Sequence, residues 1–258
     1  MATLITGASA GLGEGFVRAL AADKHDLILT ARRGDRLDAL AADMRATHGI
    51  GVHVFAADLA DPAAPGKLIA DIADAGLRID TLVNNAGFGA RGAFAELPLD
   101  RQLGQIDLNC RALVALSHAV LPGMIAAGGG AILNVASTAA FQPGPWMAVY
   151  YATKAFVLSF SEALHEEVKP QGIRVSALCP GPTRTEFAEV AGMGDSELFK
   201  RFGSSADAVV KDGLAALKAN QAVKVSGAMN AVMASSIRLT PRALARRIAG
   251  SLQKARQG

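Results

Sequence analysis

Short, mostly apolar runs recur along the chain, and a longer segment rich in alanine and leucine follows each of them. Such runs are typical of buried strands, and the longer segments carry the periodicity of helices. A regular alternation of strands and helices requires right-handed crossovers, which place helices on both faces of a parallel sheet. The sequence therefore predicts an α/β fold, a doubly wound parallel sheet with strands at residues 3–6, 27–30, 52–56, 81–84, 131–135 and 174–178.

The length of the chain, 258 residues, is compatible with a single α/β domain. We find no internal repeat, low-complexity tract or proline-rich linker that would divide it. Hydrophobic residues make up 51% of the chain and aromatic residues only 5%, which indicates a large core of aliphatic side chains. We expect a single domain over residues 1–258, in which residues 182–205 form a lid over the substrate and residues 226–258 form a C-terminal helical segment.

Charge, cysteine and hydropathy patterns argue against several classes of protein. The net charge of +3 comes from scattered basic residues, so no nucleic-acid partner is expected. Cys110 and Cys179 are far apart and match no metal-ligand spacing, which predicts neither a metal site nor a disulfide. The apolar stretch at residues 112–135 is interrupted by His118 and Pro122, and the N-terminus lacks the pattern of an export signal. We expect a cytoplasmic protein with no membrane partner.

A glycine-rich turn, Thr6-Gly-Ala-Ser-Ala-Gly-Leu-Gly13, lies between the first predicted strand and a predicted helix. Glycines at such a turn let the backbone approach a pyrophosphate, and the helix N-terminus attracts the anion. Two further motifs follow in order, Asn84-Asn-Ala-Gly87 after the fourth strand and Tyr150-xxx-Lys154 in a helical segment. Together these motifs resemble those of the classical short-chain dehydrogenases/reductases, and the resemblance covers nearly the whole chain.

This resemblance implies a Rossmann-type fold, an oxidoreductase acting on a small carbonyl or alcohol, and a homodimer or homotetramer formed through two long helices. It implies an adenine contact for Asp58, for which an N-cap is the alternative, and a nicotinamide contact for residues 180–183, for which a rigid loop is the alternative. The cofactor-binding positions implied in this way are Gly7, Ser9, Gly11, Leu12, Gly13, Asp58, Leu59, Asn85, Ala86, Gly87, Tyr150, Lys154, Pro180, Gly181 and Thr183.

The end of the second strand decides between the two nicotinamide cofactors, because an acid there accepts hydrogen bonds from a free ribose 2′-hydroxyl and repels a 2′-phosphate. Here the strand ends in Arg32 and Arg33, and the first acid is Asp35. A guanidinium is planar and permanently charged, which suits a phosphate. By resemblance to NADP-preferring members, both arginines hold that phosphate. NADP(H) is therefore the expected cofactor. NAD(H) is the alternative, because Ala10 stands where many such members carry a basic residue.

The reduction of a carbonyl requires a proton donor as well as a hydride. A tyrosine phenol titrates near ~10, and a nearby cation favours its ionised form. Lys154 follows Tyr150 by one helical turn, so both side chains share a face, whereas Tyr151 points about 100° further round the helix. The sequence therefore predicts Tyr150 as the acid/base and Lys154 as the cation that lowers its pKa.

Two more catalytic positions follow from the resemblance. Ser137 ends the fifth strand, and its hydroxyl would donate to the substrate oxygen. Asn109 lies in a predicted helix over residues 98–126, where a kinked backbone would hold a water that passes protons to the lysine. An ordinary helical asparagine is the alternative for Asn109.

Two other classes of function compete with an oxidoreductase. A non-catalytic NADP(H)-binding sensor would be favoured if Tyr150, Lys154 or Ser137 were replaced, and none is. A methyltransferase would share the glycine turn but would not require the tyrosine, the lysine or the paired arginines. The apolar side chains between Phe187 and Phe202 favour an apolar or acyl-like substrate, although they can equally serve to dock the loop.

Overall fold

The computed structural model of the protein describes residues 1–183, 185–187, 191–192, 204–237 and 239–253. Its strands are β1 (Ala2–Thr6), β2 (Leu27–Thr30), β3 (Val52–Val54), β4 (Ile79–Asn84), β5 (Gly130–Val135), β6 (Ile173–Cys179) and β7 (Val223–Val225). They form one seven-stranded sheet in the order β3-β2-β1-β4-β5-β6-β7. All neighbouring strands are parallel, so the predicted parallel sheet is confirmed.

Helices cover both faces of this sheet. They are α1 (Gly11–Ala22), α2 (Gly34–His48), α3 (Ala64–Asp74), α4 (Leu99–Ile106), α5 (Leu113–Ala126), α6 (Ala148–Val168), α7 (Ala206–Lys218), α8 (Ala228–Ile237) and α9 (Arg242–Gln253). Successive strand residues point to opposite faces, so Ile5 and Leu29 pack under α1, α2 and α7, whereas Leu4 and Ile28 pack under α3, α5 and α6. Burial on both faces explains why the strands were recognisable as continuous apolar runs.

The structure differs from the sequence prediction at a few elements. Strand β7 was not predicted, because its three residues are only half-buried and too short to show a periodic pattern. The predicted helix over residues 98–126 begins at Leu99 and is interrupted by one π-helical segment, Asp107–Ala112, between α4 and α5. The predicted substrate lid at residues 182–205 lies largely outside the described residues.

Within the described part of the chain, one helical stretch is long and apolar enough to span a membrane by length and composition, Leu99–Ala126. Its Leu116, Val120 and Met124 side chains are buried against the sheet. A single stretch of this kind is weak evidence for a membrane segment.

Candidate active site

A cavity of about 640 Å³ opens at the carboxyl edge of the sheet. In open α/β sheets ligands bind at this edge, where the strand order reverses, which here is between β1 and β4. Ser137, Tyr150 and Lys154 line this cavity, while Gly13 and Asn109 lie behind its wall. The other predicted cofactor-binding residues also line it, and they are Gly7, Ser9, Gly11, Leu12, Arg32, Arg33, Asp58, Leu59, Asn85, Ala86, Gly87, Pro180, Gly181 and Thr183.

The glycine turn after β1 is shaped for the close approach of a phosphate group. Gly7 and Gly11 have φ angles of +64° and +58°, a conformation that residues with a side chain disfavour. A Cβ atom on Gly7 would lie 2.9 Å from the Cα of Ala86. Helix α1 begins at Gly11, and its free N–H groups and positive dipole end favour an anion. The residues present therefore fit the pyrophosphate of a dinucleotide.

A set of hydrogen bonds ties this turn to the end of β4. The Asn85 side-chain amide donates to the carbonyls of Thr6 and Gly7, at 2.9 and 3.3 Å. The Thr6 hydroxyl accepts from the backbone N–H groups of Asn85 and Ala86, at 3.0 and 2.9 Å. Asn85 thus braces the turn as well as lining the cavity. Thr6 is the first residue of the glycine-turn motif, but its bracing role was not predicted, because that role depends on contacts with the distant end of β4.

Gly13 is required by packing rather than by ligand contact, since a Cβ there would lie 2.0 Å from the Gly7 carbonyl oxygen. We expect Gly13→Ala to lower the free energy of unfolding by about 3 kcal/mol, because the clash is with backbone that must move. Urea denaturation measures this loss. The matched control is Gly66→Ala in α3, where an added Cβ has no atom within 4 Å. It should stabilise the helix by about 0.5–1 kcal/mol, and equal losses in both variants would contradict the packing role of Gly13.

Asn84 faces the interior and not the cavity. Its side-chain amide donates to the Ser117 hydroxyl at 3.1 Å and to the side-chain oxygen of Asn134 at 2.9 Å. Asn134 in turn donates to the Ser161 hydroxyl at 2.9 Å. All four side chains are buried, where hydrogen bonds are strengthened by the low dielectric. This network joins α5, β4, β5 and α6 beneath the site, and only Asn84 was singled out from the sequence.

The end of β3 supplies Asp58 and Leu59. The Asp58 carboxylate accepts a hydrogen bond from the backbone N–H of Ala60 at 3.1 Å, which closes a local turn. Helix α3 begins only at Ala64, so the alternative role of Asp58 as an N-cap does not apply. Leu59 is buried in the core and also reaches the cavity wall.

The two arginines after β2 have different surroundings. Arg33 donates to the Ser9 hydroxyl from two guanidinium nitrogens, at 3.3 and 3.2 Å, and forms an ion pair with Glu186 at 3.0 Å. Arg32 is exposed and makes no hydrogen bond or ion pair with any residue that the structure describes. Arg36, one turn into α2, forms a second ion pair with Glu186 at 2.8 Å. A positively charged group of side chains therefore borders the cavity at the adenosine end implied by the resemblance.

Tyr150 and Lys154 meet in the first two turns of α6, as their spacing predicts. Both are buried, with 8% and 5% of their surface exposed. The Lys154 ammonium lies 5.9 Å from the centre of the Tyr150 ring and donates to the Val135 carbonyl at 2.7 Å. Ser137, just after β5, interacts with the Tyr150 hydroxyl and lowers its pKa. Three of the four predicted catalytic side chains therefore lie together.

The direction of one pKa shift differs from the sequence prediction. Burial raises the pKa of Tyr150 above its ordinary value, and the hydrogen bond with Ser137 offsets this only in part. Burial also lowers the pKa of Lys154 to about 8. The net shift is therefore opposite to the predicted lowering, because the cost of burying a phenolate dominates and the ammonium is directed to Val135. At neutral pH the phenol therefore keeps its proton. The effect of the Lys154 charge itself on the pKa of Tyr150 stays a prediction.

Asn109 lies in the π-helical segment, where the predicted break in the helix occurs. Its side chain is buried, accepts from the Phe88 N–H at 3.1 Å, and donates to the Phe88 carbonyl and the Thr153 hydroxyl, each at 3.0 Å. Thr153 in turn donates to the Tyr150 carbonyl at 2.7 Å. Through these contacts Asn109 joins the π-helical segment to Phe88 and to the turn that carries Tyr150. Its predicted water relay stays a prediction.

The loop after β6 and the C-terminal helices close the far side of the cavity. The Thr183 hydroxyl donates to the Gly181 carbonyl at 3.0 Å, which holds the loop compact. Helices α8 and α9 contribute Met233 and Ile248 to the wall, and both side chains are almost half-exposed. The sequence predicted a C-terminal helical segment here, and nothing in its pattern indicated a place at the cavity. Among the described residues, no group of three or more His, Cys, Asp or Glu could hold a metal ion.

Comparisons with known proteins agree with this geometry. The chain matches the family described as short chain dehydrogenase over residues 1–194. Sulfoacetaldehyde reductase 2 from Chromohalobacter salexigens is 37% identical over 211 residues, which are 81% of this chain and 80% of that protein. A solved short-chain dehydrogenase from Sphingobium yanoikuyae in complex with NADPH is 36% identical, with a TM-score of 0.84 over 95% of this chain and 94% of that one. The bulky-bulky ketone specific alcohol dehydrogenase from Comamonas testosteroni is 29% identical, with a TM-score of 0.78 over 92% of each chain.

The sheet, the glycine turn and the cavity define a dinucleotide-binding oxidoreductase. The chain belongs to the short-chain dehydrogenase family. Like the relatives named above, it is a dehydrogenase or reductase that acts on alcohol and carbonyl groups.

Proposed function

We propose that this protein is an NADP(H)-dependent oxidoreductase that interconverts a ketone and a secondary alcohol, with Tyr150 as the acid/base. The observation that carries the proposal is a single cavity that joins the glycine turn and the arginines after β2 to Ser137, Tyr150 and Lys154. The NADPH complex of the relative from Sphingobium yanoikuyae supports the choice of cofactor. The same choice is favoured by the two arginines at the end of β2, since a 2′-phosphate needs cationic donors.

The chemistry of this site divides between the cofactor and the side chains. When bound, the nicotinamide ring supplies or accepts the hydride. The Ser137 hydroxyl donates to the carbonyl oxygen of the substrate and stabilises the negative charge that develops there. Tyr150 transfers its proton to the same oxygen, and its raised pKa keeps that proton available at neutral pH. The protonated phenol is the form that carbonyl reduction requires.

Lys154 and Asn109 act on the position and protonation of Tyr150. Lys154 holds the wall of the site through the Val135 carbonyl and presents its ammonium beside the phenol ring. A charge at that place stabilises the phenolate that forms after proton transfer. Asn109 fixes the Phe88 backbone and, through Thr153, the first turns of α6. We infer that proton return to Tyr150 passes Lys154.

The substrate end of the cavity favours a bulky apolar ketone. Its described wall is mainly apolar and contains Phe88, Ala139, Met147, Phe187, Met233, Ile237 and Ile248, with Gln142 as a neutral polar group. Among the described residues, the charged groups Arg32, Arg33, Asp58 and Glu186 line the cofactor end, and the remaining charge, Lys154, is bonded to Val135. Burying a substrate anion without a charged partner is costly. The relative from Comamonas testosteroni, described as specific for bulky-bulky ketones, supports this choice.

A substrate panel with purified protein tests this proposal. NADPH consumption is followed with a bulky aryl ketone, a long-chain 3-oxoacyl thioester, a sugar and sulfoacetaldehyde. We expect kcat/KM for the bulky ketone to exceed that for sulfoacetaldehyde at least about 100-fold, since an unpaired buried anion costs a few kcal/mol. Preference for the anionic aldehyde would contradict the apolar site, and NADPH oxidation with none of the four would favour a non-catalytic sensor.

We further propose a cytoplasmic homodimer or homotetramer, as the resemblance implies. The α4 and α6 helices expose Leu103, Ile106 and Phe156, which are 47%, 44% and 44% exposed. Apolar side chains at this exposure are common at interfaces between subunits. The three residues support an interface that includes both helices.

A further inference from the structure

The segment formed by residues 185–187 connects two distant parts of the cavity. The Glu186 carboxylate accepts from Arg33 at 3.0 Å and from Arg36 at 2.8 Å, although Glu186 and Arg33 are 153 positions apart in sequence. The next side chain, Phe187, lies against Tyr150 with 5.4 Å between ring centres. One short segment therefore contacts both the arginines at the cofactor end and the candidate acid/base.

The donors around Glu186 are those that a phosphate group would require. Two guanidinium groups supply N–H donors and positive charge, and the Ser9 hydroxyl lies within hydrogen-bond distance of Arg33. A phosphate monoester carries about two negative charges and three acceptor oxygens, whereas a carboxylate carries one charge and two oxygens. Both anions seek the same donors, and the phosphate is the stronger acceptor.

These ion pairs contribute little to the stability of the fold. The side chains of Arg33, Arg36 and Glu186 are 42%, 49% and 45% exposed. Exposed pairs of this kind contribute little to folding, because water screens them. A contact that adds so little to folding can exchange for a bound ligand at small cost.

We propose that Glu186 is a residue that determines cofactor specificity, by competing with the 2′-phosphate of NADP(H) for Arg33 and Arg36. A cofactor with a 2′-phosphate displaces the carboxylate and frees residues 185–187, whereas a cofactor without it leaves the ion pairs in place. Because Phe187 lies against Tyr150, this displacement also changes the packing around the candidate acid/base. This inference rests on the NADP(H) dependence proposed above.

Calorimetric titration of the Glu186→Gln variant tests the competition directly. We expect the Kd of NADPH to fall about 3- to 10-fold, the effect of removing a competitor bound with about 1 kcal/mol. The Kd of NADH should change less than about twofold, since NADH lacks the competing group. Weaker NADPH binding in the variant, or equal shifts for both cofactors, would overturn the proposal.

The Asp43→Asn variant is the matched control. Asp43 is 48% exposed, forms an ion pair with Arg18 at 2.9 Å, and does not line the cavity. The Asp43→Asn variant removes one negative charge from an exposed ion pair, as Glu186→Gln does. Because this pair does not line the cavity, the dissociation constants of NADPH and NADH should stay unchanged. A fall in the Kd of NADPH equal to that of Glu186→Gln would show a general effect of net charge and overturn the assignment.

Two further variants separate this inference from the proposed cofactor. Arg32→Ala and Arg33→Ala should each weaken NADPH binding and leave NADH nearly unaffected. If neither variant affects NADPH, the cofactor assignment itself fails. If both weaken NADPH but Glu186→Gln leaves its Kd unchanged, the cofactor assignment stands and the competition is refuted.

Trp146 reports whether the segment is released. It is the only tryptophan of the chain, and its neighbour Met147 packs in one cluster with Tyr150 and Phe187. We expect adenosine 2′,5′-bisphosphate to change the emission of Trp146, adenosine 5′-monophosphate to leave it unchanged, and Glu186→Gln to abolish the difference. The same response to both nucleotides in the unmodified protein would contradict release by the 2′-phosphate.

Discussion

Replacing Tyr150 by phenylalanine is expected to reduce kcat at least about 1,000-fold, because the variant lacks the proton donor of the reaction. The change removes one oxygen and keeps the ring, which packs edge-on against Tyr151 and beside Phe187. The local packing therefore survives, and the Kd of NADPH should stay within about threefold of the original value. Steady-state kinetics with the best substrate of the panel and calorimetric titration with NADPH provide the two measurements.

Tyr151→Phe is the control for this prediction. Tyr151 is the neighbouring residue of α6, has the same 8% exposure, and lies with its ring centre 6.0 Å from that of Tyr150. Its hydroxyl is given no part in proton transfer, so we expect kcat to fall no more than about tenfold, the size of an ordinary packing effect. A loss as large as that of Tyr150→Phe would mean that the proton donor was assigned to the wrong tyrosine.

Local sequence patterns were sufficient to predict most of the fold, the glycine turn at the cofactor end of the site, and the pair of Tyr150 and Lys154 at its catalytic end. The strands were recognisable because a sheet covered on both faces needs continuous apolar runs. The glycine turn was recognisable because Gly7 and Gly11 adopt backbone conformations that restrict the choice of residue. The Tyr150 and Lys154 pair was recognisable because one helical turn places both side chains on one face. In each case the physical requirement acts over a few neighbouring residues.

The features that were missed depend on contacts between distant parts of the chain. Ile248 reaches the cavity because α9 packs beside the loop before α6, with Pro145 3.3 Å from where a Cβ of Gly250 would lie. Met233 reaches it from the separate helix α8. The pairing of Glu186 with Arg33 likewise joins the loop after β6 to the end of β2. No periodic pattern encodes such pairs, and a single sequence carries no covariation to reveal them.

The pKa of Tyr150 was missed for a related reason. Sequence spacing places an ammonium near a phenol, but it does not say how deeply both groups are buried or where the ammonium donates. In the structure Lys154 donates to Val135, and burial acts against both the ammonium and the phenolate. The balance between attraction and desolvation is set by tertiary packing, which decides the sign of the shift.

Lys154→Met is expected to lower kcat about 100-fold or more, because it removes the charge that stabilises the phenolate. It should at the same time raise the free energy of unfolding near pH 7. Burial lowers the pKa of Lys154 to about 8, which means that the folded protein pays for keeping the ammonium charged. Methionine fills a similar volume without charge. Because the hydrogen bond to Val135 is also lost, the net gain in the free energy of unfolding is about 1–2 kcal/mol.

The pH dependence of this gain follows from the direction of the shift. The unfolded chain keeps a lysine pKa near 10.5, so between about pH 8 and 10.5 it binds more protons than the folded protein. In this window Lys154 therefore makes the free energy of unfolding of the unmodified protein rise with pH. The Lys154→Met variant shows no such rise from this position. Urea denaturation of both proteins at pH 7 and at pH 9.5 should show the advantage of Lys154→Met shrinking at the higher pH.

Lys67→Met provides the matched control, since Lys67 is 74% exposed in α3 and pairs with Asp71, one turn away, at 2.7 Å. It should leave kcat unchanged and change the free energy of unfolding little, because water screens an exposed ion pair of this kind. A Lys154→Met protein that is less stable than the original at pH 7 would show that the buried ammonium is a net stabilising group. That result would contradict the destabilising cost that its burial predicts.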